Sequence, residues 1–138
     1  MTPDALALLH ARVFTVPRPF TASEFKSLLD APQCFLLARP YGFALGRTIA
    51  GEAELLTLAV DPDHRRQGIA TELLEAFEAT ARLRSSSVIF LEVDQINAPA
   101  IALYQKAEFV IAGQRRNYYR HPDGKTTDAL VMRKTLDK

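Results

Sequence analysis

Two short runs hold the residue types that do chemistry. The first, RRQGIAT at positions 65 to 71, sets Arg65, Arg66, Gln67 and Gly68 ahead of Ile69, Ala70 and Thr71. A helix starting there exposes unpaired N–H groups and the positive end of its dipole, a combination that binds anions. Gly68 lets the backbone approach a phosphate, Ala70 keeps its position small, Thr71 adds a hydroxyl, and the arginines add charge without burial. Neither G-x-x-x-x-G-K-[ST] nor G-x-G-x-x-G is present. The pattern is R-x-x-G-x-A, which a tight turn with solvated arginines also explains. The second run, FLEVDQINAPAIALY, puts Glu92 in an apolar segment, Asn97 at a helix start and Tyr104 inside that helix.

These runs need a frame. Thr2 and Pro3 open a helix whose apolar stripe is Leu6, Leu9 and Val13. Thr21 and Glu24 have capping-box spacing ahead of Phe25, Leu28 and Leu29, and Pro32 ends that second helix. CFLLAR, GFALGRTIA and residues 54 to 60 read as three strands in an antiparallel meander. A helix is predicted over 68 to 83, with Ile69, Leu73, Leu74 and Phe77 on its apolar face. VIFLEV follows as a strand, and a strand–helix–strand passage of this length implies a right-handed crossover and a parallel pair. Asn97 caps the next helix, with Pro99 in its first turn. The remainder reads as two long strands around HPDG. The expected result is a single α+β domain over residues 1 to 138, with a mixed sheet of about six or seven strands and about four helices.

Bulk properties exclude some classes. Seventeen basic and sixteen acidic residues leave a net charge of +1, unlike a dedicated nucleic-acid binder. With 48% apolar and 24% charged residues, the chain falls in the globular range. The lone Cys34 lies in an apolar run and reads as a small buried hydrophobe, which suits a reducing compartment. No secretory signal and no membrane span is read, so a cytoplasmic location is expected. His10 and His121 have no partners at ligand spacing, His64 reads as a solvated turn residue, and no metal site is expected.

Taken together, LAVDP–HRRQGIATELLE, LEV–N–A–IALY–K–F and RRNYY–DG–DALVM resemble the GNAT superfamily of acetyl-CoA-dependent N-acetyltransferases. The resemblance spans roughly residues 52 to 133 and is closest to the RimI-type group, which acetylates the N-terminal amine of a ribosomal protein. It implies a GNAT-like fold with a splayed parallel pair and acetyl-CoA as co-substrate. It implies that residues 66 to 71 cradle the pyrophosphate, with Arg65 completing the motif. Leu58, Ala59 and Val60 would pair with the pantetheine arm, and Asn97 would hydrogen-bond it. Glu92 would be the general base and Tyr104 the general acid.

The chemistry asks for such a pair independently, because an amine attacks a thioester only when unprotonated and the departing thiolate benefits from a proton. Deprotonating an α-amine of pKa near 8 costs about 1 kcal/mol at neutral pH, against about 4 to 5 kcal/mol for lysine. One glutamate working through water suits the α-amine better. Bland alternatives stand beside each role. Glu92 in an ion pair with an arginine of RRNYY, Tyr104 as a core aromatic and Asn97 as a helix cap are all ordinary features. Tyr118 and Tyr119 alternate across a strand, with sheet packing as their first reading. At the whole-protein level the alternatives are transfer to a small amine or a lysine, and a non-catalytic acyl-CoA-binding module. Glu108 stands where the family usually has Gly, and Glu24, Glu52 and Glu54 are candidates for an acidic entrance to the acceptor cleft.

Overall fold

A computed structural model describes residues 1 to 136. Four helices and six strands follow in the order α1 (Pro3–Val13), α2 (Ala22–Asp30), β1 (Cys34–Arg39), β2 (Gly42–Ile49), β3 (Glu52–Val60), α3 (Ile69–Leu83), β4 (Val88–Asp94), α4 (Ala98–Lys106), β5 (Val110–Arg120) and β6 (Thr126–Thr135). A 3-10 turn over Pro62–His64 joins β3 to the loop before α3. No helix among the described residues is long and apolar enough to cross a membrane.

Both N-terminal helices start where the caps predict. Thr2 accepts from Ala5 N–H at 3.1 Å, and Thr21 and Glu24 form a reciprocal capping box. The strands form one mixed sheet in the order β1-β2-β3-β4-β6-β5. The meander β1–β3 and the parallel pair β3–β4 match the sequence reading. What that reading lacked is the placement of β6, which inserts between β4 and β5 and leaves β5 at the edge.

Two apolar clusters cover opposite faces of the sheet. On one face α3 and α4 bring Leu73, Phe77 and Tyr104 onto Ala44, Leu55, Ile89, Leu91 and Met132. On the other, α1 and α2 bring Leu6, Leu9 and Phe25 onto Phe43, Leu45 and Ala59. A bulge lets β3 serve both, because Leu45 pairs with Thr57 while Gly46 pairs with Leu55, leaving Leu56 as the extra residue. Side chains 53 and 55 therefore face α3, whereas 57 and 59 face α1. Gly46 is required by packing: a Cβ there would lie 2.3 Å from the Phe77 ring.

The second face has a polar centre. His10 is buried, ringed by Phe14, Phe20, Phe25 and Phe43. Its Nδ1 accepts from Phe20 N–H at 2.9 Å, which puts the ring hydrogen on Nε2, 2.9 Å from Thr57 Oγ1. One neutral imidazole thus ties α1, the loop before α2, and β3. The sequence reading, which looked only for metal partners, passed over it.

Burial lowers the His10 pKa from 6.5 to about 4. The unfolded chain therefore binds the extra proton first, and the stability His10 contributes is lost as pH falls from 6.5 towards 4. Urea unfolding across that window should show stability dropping by up to about 1.4 kcal/mol per pH unit from this group. His10→Asn should flatten the slope while lowering the plateau at pH 7.

Candidate active site

The parallel pair is short. Only Glu52–Val88, Ala53–Ile89 and Glu54–Phe90 are in register, so Leu55–Val60 and Leu91–Asp94 border a gap. Past the bulge, the β3 edge facing β4 lacks a neighbouring strand. Leu58 and Val60 pack against the α3/α4 cluster, and Ala59 is buried on the opposite face.

At the end of β3 the loop bends sharply into α3. Arg66 has φ 64° and Gly68 φ 77°, both left-handed, a backbone pattern that turns successive N–H groups toward one point. Gly68 is the N-cap of α3 and offers no side-chain cap, so the N–H groups of the first turn, Ile69 to Thr71, stay available. A Cβ on Gly68 would meet nothing within 4 Å, so glycine is needed for its φ rather than for space. Arg65, Arg66, Gln67 and Gly68 are exposed, and neither Arg65 nor Arg66 has an ion-pair partner among the described residues. A groove of about 360 Å³ beside the loop is lined by Arg39, Tyr41, Gln67, Gly68, Ile69 and Glu72.

The loop is anchored from below. Asp61 accepts from Asp63 N–H at 2.9 Å, and Arg12 of α1 reaches both carboxylates at 2.9 and 3.1 Å. His64 is not the solvated turn residue expected from the sequence. Its ring stacks on Tyr41, centroids 3.5 Å apart and planes within 6°.

Glu92 and Tyr104 lie on opposite faces of the sheet. Glu92 alternates with the buried Leu91 and Val93 and so points away from α4. Its Oε1 lies 3.4 Å from Arg115 Nε, the ion pair that the sequence reading held as an alternative. Its Oε2 is buried without a hydrogen-bond partner in the protein. Tyr104 sits in the α3/α4 cluster with its ring edge-on to Phe109 at 5.9 Å. Burial pushes its hydroxyl up to about 12, so it holds its proton throughout the neutral range. Asn97 caps α4 by accepting from Ala100 N–H at 3.2 Å, which uses its Oδ1 and leaves its amide N–H group.

The Glu92 face carries residues that the sequence reading did not single out. The β4–β6–β5 register puts Glu92, Asp94, Arg115, Thr127 and Tyr119 on one side. Tyr119 is buried while Tyr118 is half-exposed, as strand alternation requires. Burial, followed by the charges of Glu92, Tyr118 and Asp94, pushes Tyr119 up to about 12. The signal for this cluster lay in pairing across β6, which spacing along the chain does not encode.

The acidic-entrance expectation is corrected. Glu24 is held by Arg18 at 2.8 Å and by its capping box, and Glu54 by Arg47 at 2.6 Å. Two of the three carboxylates are thus neutralised by arginines.

A sheet parted at a parallel pair, with a bare helix start at one end of the parting, defines the acetyltransferase fold class. The Acetyltransferase (GNAT) family model matches residues 6–109, and the chain belongs to that family. It is 43% identical over 90 residues to the [Ribosomal protein bS18]-alanine N-acetyltransferase of Escherichia coli K12, covering 65% of this chain and 60% of that protein. It thus spans less than two thirds of that relative's length. It is 35% identical to N-alpha-acetyltransferase RimI of Mycobacterium tuberculosis, over 93% of this chain and 83% of that protein. The crystal structure of the ribosomal-protein-S18-alanine N-acetyltransferase from Escherichia coli superposes with a TM-score of 0.87 at 32% identity, covering 99% of this chain and 88% of that one.

Glu108 keeps the geometry that its residue type disfavours. It ends α4 at φ 73°, with its N–H donating to Gln105 O and Phe109 N–H to Tyr104 O, both 3.0 Å. This is a Schellman motif, and the Tyr104–Phe109 contact is its hydrophobic staple. Glu108→Gly should remove the left-handed strain and raise stability by about 0.5 to 1 kcal/mol, net of unfolded-chain entropy. Thermal unfolding should move up by about 2 to 4 °C.

Proposed function

We propose that this protein transfers the acetyl group of acetyl-CoA to the N-terminal α-amine of a ribosomal protein. The observation that carries the reading is the parting of β3 and β4 between an anion-ready loop and the Glu92–Tyr104 pair. The Arg66 and Gly68 turns and the first N–H groups of α3 suit the pyrophosphate, with Arg65 and Arg66 adding charge. The free β3 edge over Leu58–Val60 suits an amide-bearing arm, and the Asn97 amide has an N–H group to give it. Acetyl-CoA would supply an activated carbonyl and a thiolate leaving group.

In this reading Glu92 acts as base through a water. Its free Oε2 takes the proton that the acceptor ammonium must lose before the nitrogen attacks the carbonyl. As the C–N bond forms and the C–S bond breaks, Tyr104 offers its proton to the sulfur. Both substrates are present together, so no acyl-enzyme is needed. The acceptor class follows from the names borne by the relatives and from the smaller cost of deprotonating an α-amine. Transfer to a lysine or a small amine uses the same machinery at a higher deprotonation cost. A binding module without turnover has no use for an unpartnered buried carboxylate oxygen.

Mass spectrometry with acetyl-CoA and paired peptides tests this, one peptide copying a ribosomal-protein N-terminus and the other blocked there. A single acetyl on the free peptide alone is expected. Glu92→Gln and Tyr104→Phe should each lower kcat about 10²- to 10⁴-fold with acetyl-CoA binding retained. Wild-type rates in both variants would remove the mechanism. Acetylation of the blocked peptide would move the acceptor to lysine.

A further inference from the structure

Two carboxylates stand two residues apart on the same face of β4, and their oxygens are used differently. Glu92 keeps one oxygen without a protein partner. Asp94 keeps none: Oδ1 accepts from Ile96 N–H at 3.2 Å, and Oδ2 lies 3.2 Å from His121 Nε2. Both members of the second contact are sheltered, with side chains 7% and 19% exposed.

The same His121 Nε2 is hydrogen-bonded to Thr127 Oγ1 at 2.8 Å, so one ring nitrogen meets both β4 and β6. His121 follows β5 and closes the β5–β6 turn, where Gly124 N–H donates to its carbonyl at 2.9 Å. Thr127 faces Tyr119 directly across the ladder. The Asp94–His121–Thr127 junction therefore ties the end of β4 to the hairpin that carries Tyr119.

The hairpin has reason to need the tie. Its register breaks between Arg115 and Tyr119, where Asn117 is left-handed at φ 53°. Asp128 gathers the loosened stretch, accepting from Asn117 N–H at 2.9 Å and from the Gln114 amide. Gln95, next to Asp94, donates its N–H to Asp128 O at 2.9 Å and accepts from Asp128 N–H at 2.5 Å.

We propose that Asp94 and His121 are positioning residues that hold Tyr119 and the β5–β6 hairpin as the acceptor-side wall beside Glu92, setting the KM for the amine without acting on the acetyl donor. The inference rests on the acetyl-transfer reading above.

Steady-state kinetics of His121→Ala and Asp94→Asn should show acceptor KM raised roughly tenfold, as loss of a sheltered contact to a carboxylate produces, with the KM for acetyl-CoA essentially unchanged. His121→Gln, which keeps a donor, should restore most of the acceptor KM. Hydrogen–deuterium exchange gives a readout free of activity: amides from residue 115 to 128 should exchange roughly tenfold faster in His121→Ala, while those of α3 stay as in the wild type. Unchanged exchange over that segment overturns the proposal. So does a parallel rise in both KM values with faster exchange everywhere, which marks general destabilisation. If the wild type acetylates no amine, the functional reading falls, and the exchange pattern alone decides the junction.

Discussion

β3 and β4 run side by side for only three residue pairs, and the rest of the site depends on their parting. A backbone edge left without a strand partner must find other hydrogen bonds, because a buried unpaired amide costs about 1 to 3 kcal/mol. The parting is built in. The bulge at Leu56 turns the β3 side chains over just beyond the last parallel pair, so Leu55 and Thr57 commit to different cores. Gly46, opposite the bulge, lets Phe77 and Phe35 seat α3 against the sheet there. α3 is thereby fixed with its uncapped N-terminus at the mouth of the gap, where an extended, amide-bearing phosphate ester has both ends of its chemistry met.

The sheet also separates two environments. On the α3/α4 face Tyr104 lies among Leu, Ile and Phe side chains, and burial pushes its hydroxyl up to about 12. On the other face Glu92 has a cation at arm's length and one free oxygen. A proton donor and a proton acceptor that shared one pocket would bond to each other. Alternation along β4 points Glu92 to one face of the sheet, while α4 holds Tyr104 on the other.

Much of this was legible in the chain, and the boundary has a physical form. Features held by neighbours in sequence could be read: the Thr21–Glu24 capping box, Pro3 in the first turn, the apolar stripe of α3, the Gly68 helix start and the cap at Asn97. Features held by distant partners could not. The His10–Thr57 bond joins residues 47 apart, and the Glu92–Asp94–Tyr119 face exists only because β6 inserts between β4 and β5. Glu24 and Glu54 looked available because a sequence does not reveal which arginine will take a carboxylate. Glu108 shows local preference overridden, since two carbonyls at the end of α4 need its left-handed turn more than glutamate resists it.

The two sides of the Glu92 face are each tied down by a histidine. His10 anchors the α1–α2 side and needs an unprotonated Nδ1, because Phe20 N–H donates to it. A proton there replaces a hydrogen bond with two hydrogens in conflict and puts a charge among four aromatic rings. His121 anchors the β5–β6 side, with Nε2 3.2 Å from Asp94 Oδ2 and 2.8 Å from Thr127 Oγ1. Acid therefore loosens the His10 wall of the face. The wall that yields is the one nearest the loop before α2, where Phe20 N–H donates to His10.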